Sequence, residues 1–338
     1  MITKSNFKPA WWLTNRHLQT ILPRVYPVSC DFYPFHHDFE LSDGDFVEVT
    51  WSKNPANYPN DKSPIVVVLH GLEGSFESFY AKRMMNTIYN QSWTSVLMHF
   101  RDCGNKRNRK LQSYHSGQTS DLTEFIDHLA DTYPKRDIYA IGFSLGGNVL
   151  AKYLGERPES KLSGAVVISA PMELEECANT VDQGFSKVYQ KYLVDKLKKS
   201  AQEKFDMLAQ RDKNVQYSVD PESISNVTKL KEFDELLTAP INGFASAHDY
   251  YKQSSCKPFL AKISTPTLIL HAMDDPFMNE KVIPTEQEIS SSVTVELSEK
   301  GGHVGFLSGR NPFKPEFWLE TRSVTFFNSL ITNQKADK

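Results

Sequence analysis

Three residues are placed to do covalent chemistry: Ser144, Asp275 and His303. Ser144 lies in Gly142-Phe143-Ser144-Leu145-Gly146, directly after the strand-like run Ile138 to Ile141 and directly before the helical run Asn148 to Leu154. A serine at a tight strand-to-helix turn is held in a strained backbone conformation, and Gly142, Gly146 and Gly147 let strand and helix approach closely there. A hydroxyl is a weak nucleophile near neutrality. It needs a base to take its proton and an acid to hold that base in the correct tautomer, and the trio then attacks an acyl carbonyl. For the acid, Thr267 to Phe277 reads as a buried strand running into a turn. Asp275 fills the fourth position of a Gly-x-x-Asp turn, with Ala272 in the glycine place, and the adjacent Asp274 is the alternative. For the base, Gly301-Gly302-His303-Val304-Gly305 follows the last strand and puts an imidazole on a loop able to swing toward Ser144. The oxyanion formed by attack needs two preorganised N–H donors. Leu145 offers one by its position after the serine. Leu72, in His70-Gly71-Leu72-Glu73-Gly74 after the first core strand, offers the other. His70 is read as structural support, and Glu73 is left open between lining the pocket and facing solvent.

These residues can meet only if the chain folds as alternating strands and helices. Ile65 to Leu69, Thr94 to Phe100, Ile138 to Ile141, Ala165 to Ser169, Thr267 to His271 and Val293 to Leu297 predict six buried strands. Between them, Leu122, Phe125, Ile126 and Leu129 at i, i+3, i+4, i+7 predict the clearest amphipathic helix. Ahead of them, Phe32 to Leu41 and Phe46 to Trp51 flank the turn Ser42-Asp-Gly-Asp45 and predict a hairpin. The expectation is an α/β fold with an eight-stranded, mostly parallel sheet and helices on both faces. One interval breaks the alternation: 172–250 holds charged helical stretches and no convincing strand. The predicted organisation is therefore a core of 1–171 and 251–338, with an N-terminal arm and hairpin in 1–60, and a helical cap insertion at 172–250. Within the insertion, Phe185, Val188, Tyr189, Tyr192 and Leu193 form an apolar stripe expected to lie on the core or over a cavity.

Composition excludes several other classes. With 40% hydrophobic and 23% charged residues and a formal net charge of −3, the chain is globular and has no global field to hold a polyanion, so no nucleic-acid partner is expected. The longest aliphatic run, Ile65 to Leu69, is far short of the roughly 20 residues that span a bilayer, which leaves only peripheral lipid contact open. Met1 to Thr14 lacks the continuous apolar stretch of a secretion signal, and a cytoplasmic address is expected. Cys30, Cys103, Cys177 and Cys256 lie far apart and are read as reduced, buried small hydrophobes. His36, His37 and His99 lack the spaced companions of a metal site, so neither metal nor cofactor is expected. The basic run Lys106-Arg-Asn-Arg-Lys110 is read as a solvated loop, with an anionic substrate head group as the sharper option.

The order Ser, Asp, His is that of the α/β-hydrolases. Nearly the whole chain resembles the YheT-like branch of that superfamily, related to eukaryotic abhydrolase-domain lipases and fungal medium-chain alcohol acyltransferases. The resemblance is carried by Pro9-Ala-Trp-Trp-Leu13, Asn15-Arg-His-Leu-Gln-Thr20, the His70 to Gly74 loop, Tyr114-His115-Ser116-Gly117, Gly142 to Gly147, Asp274-Asp275-Pro276-Phe277 and Gly302-His303. It implies the α/β-hydrolase fold, with Ser144, Asp275 and His303 as the triad. One departure stands out: members tend to carry Arg-Gly-Cys after the second core strand, where this chain has Arg101-Asp102-Cys103. Trp11, Trp12 and His17 are expected to belong to an arm packed over the sheet edge. The expected activity is that of a serine carboxylic-ester hydrolase acting on a small-molecule acyl ester, short- or medium-chain or lipid-like, with short or medium acyl chains favoured by the cap. The alternatives are acyl transfer to an alcohol and a catalytically silent binding protein that keeps the fold.

Overall fold

The structure, a computed structural model, describes residues 1–211 and 219–336. Its centre is a nine-stranded sheet in the order β1-β9-β8-β7-β6-β4-β5-β3-β2. The strands are β1 (Ile2–Lys4), β2 (Phe35–Glu40), β3 (Phe46–Trp51), β4 (Ile65–Leu69), β5 (Thr94–Met98), β6 (Ile138–Phe143), β7 (Gly164–Ile168), β8 (Thr267–Ala272) and β9 (Val293–Ser298). Only the β2–β3 and β3–β5 pairs are antiparallel. Strands β4 to β8 are buried along their whole length, which is why they read as unbroken apolar runs.

The sheet has nine strands where the sequence led us to expect eight. The extra one is β1, whose three residues pair in parallel with β9 in the register Ile2↔Val295 to Lys4↔Leu297. Three residues are too few to show a period of two, and the strand exists because β9 offers an edge to cover. A second departure is a separate hairpin of β10 (Leu307–Asn311) and β11 (Lys314–Phe317) beyond the sheet.

Helices cover both faces. The first helices in chain order are α1 (Arg16–Ile21), α2 (Phe79–Asn90), α3 (Ser120–Thr132) and α4 (Leu145–Glu156), of which α3 and α4 cover one side of the sheet. Leu122, Phe125, Ile126 and Leu129 of α3 and Val149, Leu150 and Leu154 of α4 pack on Val67, Leu69 and Val167. On the other side, Ala81, Met84, Met85 and Ile88 of α2, with Leu319 and Phe327 of the C-terminal helix Trp318–Ala336, pack on Val66, Val68 and Ile141.

Between β7 and β8 the described residues form helices and no strand. These include α5 (Leu174–Val181) and the long α6 (Ser186–Arg211); residues 212–218 of the predicted insertion lie outside the described residues. Val194, Leu197 and Phe205 of α6 make a small core with Ile224, Phe233 and Leu237. The predicted stripe on α6 divides. Tyr189 is buried, whereas Phe185, Val188 and Tyr192 remain exposed.

The basic run is neither free nor aimed at a head group. Lys106 pairs with Asp38, Arg107 with Glu203, Arg109 with Glu40 and Lys110 with Asp43, so its charges are already matched. All four cysteines are free thiols. Among the described residues no helix is long and apolar enough to cross a membrane, and no cluster of His, Cys, Asp or Glu is arranged to hold a metal ion.

Candidate active site

Ser144 occupies the one-residue link between β6 and α4, with φ 51° and ψ −118°. A non-glycine residue at positive φ is strained, and the surroundings here hold it in place. The Ser144 N–H donates to the Ile168 carbonyl at 2.8 Å. A Cβ on Gly142 would lie 2.3 Å from the Gly146 carbonyl oxygen, and one on Gly146 would lie 2.5 Å from that of His70. Both positions therefore need glycine for the helix to start this close to the sheet.

The structure brings Ser144, His303 and Asp275 together. His303 Nε2 is 2.9 Å from Ser144 Oγ, and His303 Nδ1 is 2.7 Å from Asp275 Oδ2. With the Nδ1 proton donated to the carboxylate, Nε2 is the unprotonated nitrogen facing the hydroxyl. Asp275 is almost fully buried, and its other oxygen accepts from the Phe277 N–H at 2.8 Å. The Phe277 ring stacks on the imidazole at 4.2 Å between centroids. Asp274 points elsewhere: its Oδ1 accepts from the Gly302 N–H at 2.9 Å, and burial raises its pKa. It fastens the histidine loop rather than the imidazole.

Leu72 and Leu145 both line the cavity at Ser144. Leu145 is the first residue of α4, where an N–H has no partner within its own helix. On either side of Leu72 the N–H groups are committed, Gly71 to Tyr80 Oη and Glu73 to Tyr114 Oη, each at 2.8 Å. His70 is completely buried between strands. Its Nε2 accepts from the Phe100 N–H at 3.1 Å, its Nδ1 faces the Gly71 carbonyl at 2.7 Å, and burial pushes its pKa down to about 3. A neutral imidazole thus braces the Leu72 turn. Glu73 lines the cavity, where Tyr114 donates to it at 2.9 Å and Ser200 of α6 donates to its other oxygen.

Asp102 sits at φ 68°, a left-handed backbone that glycine adopts freely and aspartate tolerates better than most residues. Its carboxylate accepts from the Asn108 N–H at 3.1 Å and from Lys204 Nζ of α6 at 2.9 Å. Both partners of this ion pair are buried, and it ties the insertion to the core beneath the cavity.

Two contributors escaped the sequence reading. Thr20 Oγ1 accepts from the His303 N–H at 2.9 Å, and Gln19, fully buried, bonds both the N–H and the carbonyl of Leu307 at 2.8 and 3.0 Å. A Cβ on Gly305 would meet the Gln19 carbonyl at 2.2 Å, so α1 lies directly on the histidine loop. The arm covers the sheet edge through β1, but His17 goes on to the insertion, with Nδ1 3.1 Å from Tyr189 Oη. Nothing in the local periodicity of Asn15 to Thr20 announces contacts made more than 280 residues away.

A cavity of about 400 Å³ opens beside Ser144 and His303, within the usual range for a small-molecule site. Its walls are mostly apolar and come from the Leu72 turn, α1, α5 and α6. Asp234 also faces it, accepting from Tyr251 Oη at 2.7 Å, and burial raises its pKa to about 6.

A family model described as the alpha/beta hydrolase fold matches residues 64–310. The chain belongs to the α/β-hydrolase family. Among relatives of this α/β-hydrolase, YheT of Escherichia coli (strain K12) is 42% identical over 321 residues, covering 95% of this chain and 92% of that protein, which assigns the chain to the YheT-like branch. A monoacylglycerol lipase of Saccharomyces cerevisiae is 29% identical over 76% of this chain and 58% of its own length. Of solved structures, an esterase of Pyrococcus furiosus superposes with a TM-score of 0.56 at 17% identity, covering 89% of this chain and 92% of that one, a likeness of fold.

Proposed function

We propose that this α/β-hydrolase cleaves carboxylic esters with a short or medium acyl chain, using Ser144 as nucleophile, His303 as general base and acid, and Asp275 as the group that orients the imidazole. The observation that carries the reading is the continuous hydrogen-bonded run from Ser144 Oγ through His303 to Asp275 at the wall of an apolar cavity. His303 Nε2 accepts the serine proton as Oγ bonds to the acyl carbon. The carbonyl electrons move onto oxygen, which accepts from the Leu72 and Leu145 N–H groups. The tetrahedral intermediate collapses, the bond to the alkoxy oxygen breaks, and His303 returns the proton to the departing alcohol. Water then attacks the acyl-enzyme with the same proton traffic and releases the acid. The relatives named as an esterase and a lipase, of Escherichia coli and Saccharomyces cerevisiae, support an acyl-ester substrate.

A fluorophosphonate probe tests this reading together with a chain-length series of p-nitrophenyl esters. The expected result is stoichiometric labelling of Ser144 and turnover that falls once the acyl chain outgrows the cavity. Absence of labelling on the folded protein contradicts it.

A further inference from the structure

We infer that the mouth of the cavity is a docking surface for an anionic lipid bilayer, built from one face each of α1 and α6. The inference starts from apolar surface that the fold leaves unburied. Leu18, Ile21 and Val25 recur at i, i+3, i+7 along α1 and the turn after it, and Phe185, Val188 and Tyr192 do the same from the residue before α6 into its first turns. These six side chains are 41–66% exposed. The two stripes adjoin. The His17 ring lies 4.5 Å from that of Phe185, and the Arg24 guanidinium lies 5.2 Å from the Tyr192 ring. Ile21, Val188 and Tyr192 also line the cavity, so the patch is continuous with its opening. Contiguous exposed apolar surface around a pocket mouth marks an interaction site rather than ordinary surface.

Charge identifies the partner. Arg16, Arg24, Lys187, Lys191 and Lys196 stand among these side chains on a protein whose net charge is −3. Lys191 is matched by Asp195 at 2.8 Å. No carboxylate of the described residues lies within 4 Å of the charged nitrogens of Arg16, Arg24, Lys187 or Lys196. Basic side chains around an apolar stripe complement anionic head groups over acyl chains, each adding attraction close to the surface. The esterase reading supplies the purpose, passage of an acyl chain from the bilayer into the cavity, but docking itself needs no catalysis.

Vesicle co-sedimentation tests it, with phosphatidylcholine alone and with added phosphatidylglycerol. The protein is expected to bind the anionic vesicles, to bind neutral ones far more weakly, and to release as salt rises. Arg16→Gln with Lys187→Gln should weaken binding on the order of 30-fold. Leu18→Ser with Val25→Ser should weaken it about tenfold. None of these four residues lines the cavity, so turnover of a water-soluble ester stays at the parent level. Ser144→Ala should bind vesicles as the parent does, which separates this inference from the catalytic one. Equal binding to neutral and anionic vesicles, no binding at all, or self-association in ultracentrifugation that the Leu18 and Val25 changes abolish would each overturn it.

Discussion

At Ser144 the backbone takes up a strained conformation, and the surrounding contacts explain why it persists: glycines at 142 and 146 admit the helix, and the hydroxyl emerges 2.9 Å from His303 Nε2. The two neighbouring aspartates give this arrangement its sharpest test at single-residue resolution. Asp275 holds His303 Nδ1, whereas Asp274 holds the Gly302 N–H. Asp275→Asn keeps the shape but disturbs the tautomer, and kcat for ester hydrolysis is expected to fall by about four orders of magnitude. Asp274→Asn keeps an acceptor for the Gly302 N–H and should cost less than about tenfold. Equal losses from the two variants would show that the imidazole does not depend on Asp275 alone.

At the scale of elements, the histidine loop depends on α1. Gly302, Val304 and Phe306 all stand at positive φ, and Thr20 and Gln19 hold the loop there through its backbone. Thr20→Val removes the acceptor for the His303 N–H. The expected outcome is a fall in kcat of about tenfold with KM nearly unchanged, and recovery in Thr20→Ser, since misplacing a catalytic group costs rate more than binding. A parallel loss in Thr20→Ser would mean that bulk at this position, not the hydroxyl, is what matters. The insertion carries a pH-dependent element of its own in Asp234. Its pKa is raised in the fold to about 6 from 3.8, so as pH rises the unfolded chain ionises first and stability is lost between those two values. Asp234→Asn keeps an acceptor for Tyr251 and removes that loss. The variant is expected to be more stable by on the order of 3 kcal/mol above pH 6, with the difference gone below about pH 4. Thermal melts across that range measure it, and a difference independent of pH would exclude the carboxylate as the cause.

For the molecule as a whole, legibility in the sequence followed the range of the interactions. Ser144, Asp275 and His303 could be read because each stands just after a strand whose apolar run is local, and parallel strands bring those ends to one rim. The strands β4 to β9, of which β9 is only half buried, and the helix around Phe125 were legible for the same reason. β1 was not, since its three residues take their conformation from β9. Thr20 and Gln19 were hidden because their partners lie at the far end of the chain. The stripe on α6 was visible as periodicity, but periodicity does not say which of its side chains are buried and which are left exposed at the cavity mouth. Likewise the charges of Lys106 to Lys110 were plain, and the acids that neutralise them became evident only in three dimensions. The most direct test of the assembled site is kcat on a p-nitrophenyl ester for Ser144→Ala, with circular dichroism to verify folding. A loss of about five to six orders of magnitude is predicted; turnover retained by the folded variant would contradict the assignment.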